Sequence, residues 1–231
     1  MSEKIFIGLY SKSDIIARPW ADAGIECHLF DLKSTSGRDG SIVYHSGDLR
    51  KQMKMISWLI RNYSVIFCAA FPPCDNMAVC GAKHFEKKAL NDAMFWAKSM
   101  ELVWLARDIA EISGAPYFLE NPRTVISTLW RPPDYKFNPF EYGGYLPVNH
   151  AHTLFPDIYP PRDAYPKETW LWTGNGFAMP EKLIVEPVKD YPGWKSLGGA
   201  SEKTKEIRSV TPEGFSKAVF EANCLMIKES F

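Results

Sequence analysis

The sequence has no C-x-x-C pair, no internal repeat and no low-complexity tract. It also lacks a net charge: 27 Lys and Arg balance 27 Asp and Glu. The charge balance excludes a globally basic nucleic-acid binder and leaves room only for a local basic patch. Collagen, coiled coil and intrinsic disorder are excluded by composition. No apolar run approaches the ~20 residues of a membrane span, and the opening MSEKIFIGLYSKSD has no signal-peptide layout, so a cytoplasmic protein with no membrane partner is expected. The five cysteines (Cys27, Cys68, Cys74, Cys80 and Cys224) are odd in number and fit no common zinc spacing, so reduced thiols and no metal site are expected.

What is present is an ample core: 46% of 231 residues are hydrophobic, which suits a single domain. Lys4 to Gly8, Ile25 to Asp31, Ser41 to His45, Val65 to Ala70 and Tyr117 to Glu120 have the apolar character of strands. Between them, helices are predicted within Ile15–Ala23 (starting near Arg18 because of Pro19), over Asp48–Arg61 and over Glu86–Ile112. Gly114 ends the last of these. Such alternation predicts a mostly parallel, doubly wound α/β sheet. Beyond Arg131 the composition changes, with 11 of the 17 prolines between Arg131 and Gly193. We read 131–167 as a proline-rich insertion within one domain, followed by a strand at Thr169–Trp172. A terminal helix is predicted from Thr211, with Thr211 as N-cap and Pro212 at the first position.

Ligands of an open parallel sheet bind beyond the carboxyl ends of its strands. Four predicted strand ends carry polar or reactive groups: Ser11 to Asp14, Asp31, Phe71-Pro72-Pro73-Cys74, and Glu120-Asn121-Pro122. Asp31 suits a ribose, or it is a solvated turn residue. Cys74, held on a stiff turn after two prolines, is a candidate thiolate, or a half-buried inert thiol. An acid such as Glu120, desolvated by the sheet, stays protonated near neutral pH. Together a thiolate and a carboxylic acid suit a pyrimidine: the thiolate adds to carbon 6, the acid engages nitrogen 3, and carbon 5 becomes nucleophilic.

The order GLYSKSD, HLFDL, SGDL, AAFPPCDNMAVCGAKHF and FLENP resembles the DNA cytosine-5 methyltransferases, closest to short phage-type members with PPC and ENP motifs. Phe140-Glu141-Tyr142-Gly143, Thr169 to Trp172 and Arg208 to Ala222 match later stretches of such sequences. The resemblance implies a Rossmann-like, S-adenosylmethionine-dependent methyltransferase fold. It implies methyl transfer to carbon 5 of cytosine in DNA through a covalent Cys74 adduct, in a bacterial or phage-infected cell. Cys74 is then the nucleophile, Glu120 the ring-nitrogen partner, and Asn121 the brace of the Glu120 loop. S-adenosylmethionine would meet Ser11, Ser13 and Asp14 in the first loop, Asp31 at its ribose, Asp48 and Leu49 at its adenine, and Pro72. The substrate would meet Pro73, Arg123 and Lys83. The chain departs from the family in lacking an F-x-G-x-G loop and a Q-x-R-x-R segment, whose arginine Arg123 or Lys167 would replace. The resemblance implies that the 131–167 insertion is a reduced target-recognition region.

Other readings are weaker or remain open. A zinc deaminase needs P-C-x-x-C after H-x-E, and His84-Phe85-Glu86 is followed by none. Amino-group methyltransferases place Asp or Asn before Pro-Pro, where Phe71 stands here. His150 and His152 are read as loop histidines, Lys83, Lys87 and Lys88 as a solvated helix start or phosphate contacts, and Trp96, Trp104, Trp170, Trp172 and Trp194 as core. A C5-modifying enzyme for free pyrimidine nucleotides and a catalytically inactive nucleic-acid or partner-binding protein remain alternatives.

Overall fold

The computed structural model describes residues 3–189, 191 and 201–224. Its strands are β1 (Lys4–Leu9), β2 (Glu26–Asp31), β3 (Gly37–Asp39), β4 (Ile42–Ser46), β5 (Ser64–Ala70), β6 (Tyr117–Pro122), β7 (Tyr135–Phe137) and β8 (Thr169–Gly174). Helices are α1 (Arg18–Asp22), α2 (Met53–Asn62), α3 (Phe85–Asn91), α4 (Phe95–Ser113), α5 (Ile126–Leu129), α6 (Glu202–Ser209) and α7 (Glu213–Cys224). The eight strands form one mixed sheet of order β3-β4-β2-β1-β5-β6-β8-β7. β4, β2, β1, β5 and β6 are parallel to their neighbours in that series, whereas β3 on β4 and β8 on β6 are antiparallel. The expected α/β class and mostly parallel sheet are present.

The chain divides into two compact units. One comprises residues 1–136 and 169–177, the other 137–168 and 178–231, so the second takes the terminal helix as well as most of the proline-rich stretch.

In the first unit, alternation along the strands sorts side chains to two faces. Ile5, Ile7, Leu9, Phe30, Cys68, Ala70, Leu119, Trp170 and Trp172 share a core with Ile56 and Leu59 of α2 and with Met100, Val103, Ala106 and Ile109 of α4. Phe6 and Phe67 face the other way, stacked on each other at 6.1 Å, with Trp20 of α1 5.0 Å from Phe67. Gly114 ends α4 at φ +71, as expected. The long helix predicted over 86–112 is two helices. Asp92 breaks it, accepting from the Met94 amide at 3.0 Å and from Lys98 Nζ at 2.7 Å, so Leu90 and Met94 stay 83% and 58% exposed. The edge strand β3 carries no apolar side chain, and no periodicity announces it. Trp170 and Trp172 are core, Trp96 is half-buried, Trp104 is exposed, and Trp194 lies outside the described residues.

In the second unit, Phe215 of α7 stacks on Phe137 at 4.0 Å and meets Tyr142 edge-on at 5.2 Å. His150 and His152 lie in loops, as expected, and both have structural partners. His150 Nε2 lies 2.8 Å from Glu213 Oε2, the His152 side chain is buried, and the buried Asp163 accepts from the Gly214 amide at 2.8 Å. These groups fasten the start of α7. Among the described residues, no helix is long and apolar enough to cross a membrane.

Candidate functional site

Strand order reverses between β1 and β5: β2 and β4 lie on one side, β6 and β8 on the other. In open α/β sheets ligands bind at the carboxyl ends of the strands beside such a switch point. The sequence-predicted residues cluster around it on two pairs of strand ends.

The first pair is β5 and β6. Phe71 leaves β5 with its amide on the Leu9 carbonyl of β1 at 3.0 Å. Pro72 is buried, Pro73 exposed and Cys74 half-buried. The prolines end the strand because neither offers an amide proton to a ladder. The chain then turns tightly, with the Met77 and Ala78 amides both donating to the Cys74 carbonyl at 2.9 Å. Glu120 and Asn121 lie within β6, which continues to Pro122 rather than closing before it, because β8 pairs with it as far as Pro122↔Thr169. Asn121 is 2% exposed, and its Nδ2 donates to the Pro72 and Glu120 carbonyls, both at 2.8 Å. Farther out, Val79 N donates to Arg123 O at 2.9 Å, Val125 N donates to Met77 O at 3.0 Å, and Ala78 bridges Thr124. The Cys74 and Glu120 loops are therefore one stitched assembly, with half-buried Cys74 and Glu120 and exposed Arg123 upon it.

Asn76 was not singled out in the sequence, yet it anchors this assembly. Its amide donates to Ser99 Oγ at 3.2 Å, its carbonyl accepts from Trp96 Nε1 at 3.1 Å, and its Oδ1 accepts from Lys88 Nζ at 2.8 Å. Lys88 also reaches the Asp75 carbonyl at 2.7 Å, so its ammonium holds the loop instead of awaiting a phosphate. Lys83, on the 3-10 turn Val79–His84, is exposed. The only sequence signal for Asn76 is its place two residues after Cys74.

The second pair is β1 and β2. Gly8 is required by packing: a Cβ there would stand 2.6 Å from Leu29 Cδ2. Tyr10 then takes φ +54, a left-handed conformation rare for a large residue, anchored by its hydroxyl donating to Leu102 O at 3.1 Å. Ser11 is buried, with its amide on Phe30 O and its hydroxyl on Ser13 O, both at 3.1 Å. Half-buried Asp31 sits at the tip of β2, where burial raises its carboxyl above the usual range. One of its oxygens accepts from the Lys33 amide at 2.7 Å.

Two acids assigned to the cofactor side have other partners. Asp14 pairs with Arg18 and accepts from Tyr44 Oη at 3.3 Å, which ties α1 to β4. Asp48 caps the 3-10 turn Leu49–Lys51 and takes the Arg50 guanidinium at 2.6 to 3.1 Å, and those bonds hold its carboxyl below the usual range. Both carboxylates are thus engaged within the protein; Leu49 beside Asp48 is buried. Lys167 belongs to the second unit, where its ammonium donates to Arg208 O at 2.9 Å and Val210 O at 3.4 Å, whereas Arg123 stands on the loop joined to that of Cys74.

The arrangement brings a thiol, a carboxyl and an arginine onto joined loops, one strand away from a second acid. The chain matches no protein-family model and no curated protein.

Proposed function

We propose that this protein transfers a methyl group from S-adenosylmethionine to carbon 5 of cytosine in DNA, on a Rossmann-like methyltransferase fold. The observation that carries the reading is the Asn121 to Pro72 hydrogen bond of 2.8 Å, which joins the Cys74 and Glu120 loops beside the switch point. Asp31 supports the cofactor half, since one carboxylate oxygen faces a local amide and the other suits a ribose hydroxyl. Ser11, Ser13, Leu49 and Pro72 complete that side. When bound, S-adenosylmethionine supplies an electrophilic methyl group.

The protein's own residues make the base reactive. The Cys74 thiolate forms a bond to ring carbon 6, and Glu120 gives a proton or hydrogen bond to ring nitrogen 3. The electron pair released from the 5,6 double bond becomes available at carbon 5. Once carbon 5 is substituted, its proton leaves to solvent, the carbon–sulfur bond breaks, and the aromatic ring and the thiolate are restored. Arg123 faces the phosphate or the base edge, and Pro73 lines the approach. A base inside a duplex has to leave the stack first, at ~ a few kcal/mol.

The test is covalent trapping on DNA containing 5-fluorocytosine, because fluorine blocks the loss of the carbon 5 proton. A cofactor-dependent adduct is expected with the wild type and none with Cys74→Ser. Methylation confined to free pyrimidine nucleotides would shift the substrate class. Cofactor binding with neither methylation nor adduct on duplex, single strand or nucleotide would overturn the enzyme reading.

A further inference from the structure

Outside the candidate site, four side chains on β2, β3 and β4 form a hydrogen-bonded chain. His28 Nε2 lies 2.9 Å from Glu26 Oε1, and His28 Nδ1 lies 2.9 Å from His45 Nε2. Arg38 Nη2 donates to the other Glu26 oxygen at 2.8 Å. A carboxylate only accepts, so the His28 proton sits on Nε2, its Nδ1 is an acceptor, and His45 donates from Nε2. His28 is thus neutral with its tautomer set by Glu26, and burial disfavours the charged form of His45, which donates from Nε2. Their rings stack at 5.2 Å, and His45 also stacks on Phe30 at 4.4 Å. The charged groups facing the pair are Glu26 from β2 and Arg38 from β3.

The chain lies directly below the proposed cofactor end. In the β2–β4 ladder His28 opposes Val43 and Phe30 opposes His45; the next rung is Asp31 on Ser46. The Gly47 amide then closes the ladder on Asp31 O at 3.1 Å. β4 pairs with β2 on one side and with the three-residue β3 on the other, where the Ser46 amide also donates to Ser36 Oγ at 2.9 Å, and Tyr44 Oη reaches Asp14.

We propose that this chain is an acid-released latch: neutral His28 and His45 hold the β3–β4 edge on β2, and protonation frees that edge together with the Asp31 end. With both rings protonated, His28 Nδ1 and His45 Nε2 are both donors and their hydrogen bond is lost. Two stacked imidazolium rings beside Arg38 would share the single Glu26 carboxylate. Burial lowers both histidines, His45 to about 4 with His28 adding to the effect. The unfolded edge, with ordinary histidines, therefore binds protons more readily. Stability of the edge is complete above the ordinary value of ~6.5 and falls as pH drops toward the folded values, up to ~tenfold per pH unit for each histidine. The cofactor half of this inference rests on the function proposed above.

Hydrogen exchange on the full chain tests the latch. Corrected for intrinsic rates, protection of the 42–46 amides should fall at least tenfold, relative to those of β1, between pH 7 and pH 5. The fall should vanish in His28→Gln/His45→Gln. If that variant does not fold, His45→Gln alone, whose amide can still donate to His28, should at least halve the logarithmic fall. Constant protection in the wild type, or an unchanged fall in the variants, overturns the latch. In calorimetry, S-adenosylmethionine affinity should drop about tenfold over the same range in the wild type only. Equal affinity at both pH values despite release of the edge overturns the coupling. Absence of binding at pH 7 with the exchange result intact removes the proposed function and leaves the latch.

Discussion

Asn121 Nδ2 donates to the carbonyl of Pro72 at 2.8 Å, across 49 positions of sequence. The bond takes the last carbonyl before Pro73-Cys74 and fixes it to the strand that carries Glu120. The acceptor atom of the same amide, Asn121 Oδ1, is buried with no partner among the described residues. Removing the side chain should therefore be felt twice. Asn121→Ala is expected to lower stability by ~1–3 kcal/mol, since two carbonyls lose their donor. It should reduce adduct formation by at least a further tenfold at a temperature where the variant is fully folded. Denaturant unfolding and 5-fluorocytosine trapping measure the two separately.

Asp31 and Asp48 should separate under mutation. Asp31→Ala is expected to weaken S-adenosylmethionine about tenfold, in line with ~1.5–3 kcal/mol for a charge-assisted hydrogen bond. Asp48→Ala should instead cost ~1 kcal/mol of stability through loss of its cap and leave cofactor affinity within about threefold. Calorimetry and denaturant midpoints on both variants check the contrast.

Cysteine accessibility gives a direct readout of the first unit. Cys80 is exposed and Cys74 half-buried, whereas Cys27 and Cys68 are buried and their thiols are pushed up to about 12, chiefly by burial. A thiol reagent at pH 8 should modify Cys80 first and Cys74 more slowly, with Cys27 and Cys68 reacting only on unfolding. Peptide mapping of the labelled protein gives the order.

Asp163 makes a prediction of the opposite pH sign to the histidine pair. Burial lifts its carboxyl to about 6, so the folded state binds this proton more readily than the unfolded state, whose value is ~3.9. Its contribution to stability is fully present below ~4 and is lost as pH rises through 6. Asp163→Asn keeps an acceptor for the Gly214 amide without the charge, and should stabilise the protein by about 1–2 kcal/mol at pH 7.5. The gain should disappear by pH 4. Urea midpoints at the two pH values test it.

Much of the first unit was legible in the sequence because strand burial is a local pattern. Val65 to Ala70 is continuously apolar, and β5 lies between β1 and β6. Pro19, Gly114 and the prolines after Ala70 mark boundaries through backbone chemistry that no tertiary contact alters. Those signals place Asp31, Cys74 and Glu120 at strand ends, and a parallel sheet puts all such ends on one side. The grouping of the candidate site thus follows from chain order alone.

What the sequence left open was decided by partners distant in the chain or by competition among neighbours. Asp14, Asp31 and Asp48 are equivalent as letters. Asp14 pairs with Arg18 and Tyr44, Asp48 pairs with Arg50, and Asp31 accepts from the Lys33 amide with the charges of Lys12 and Lys33 acting on it. The apolar spacing of Leu90 and Met94 promised one helix, but an Asp92 side chain satisfying the Met94 amide outweighed it. β8 arrives antiparallel beside β6, an outcome that depends on where the 131–168 excursion returns and not on the alternation within Thr169–Trp172. Periodicity records which side of an element is dry. Which charges pair, and which strand neighbours which, is settled only when the folded chain sets the alternatives against one another at hydrogen-bond distance.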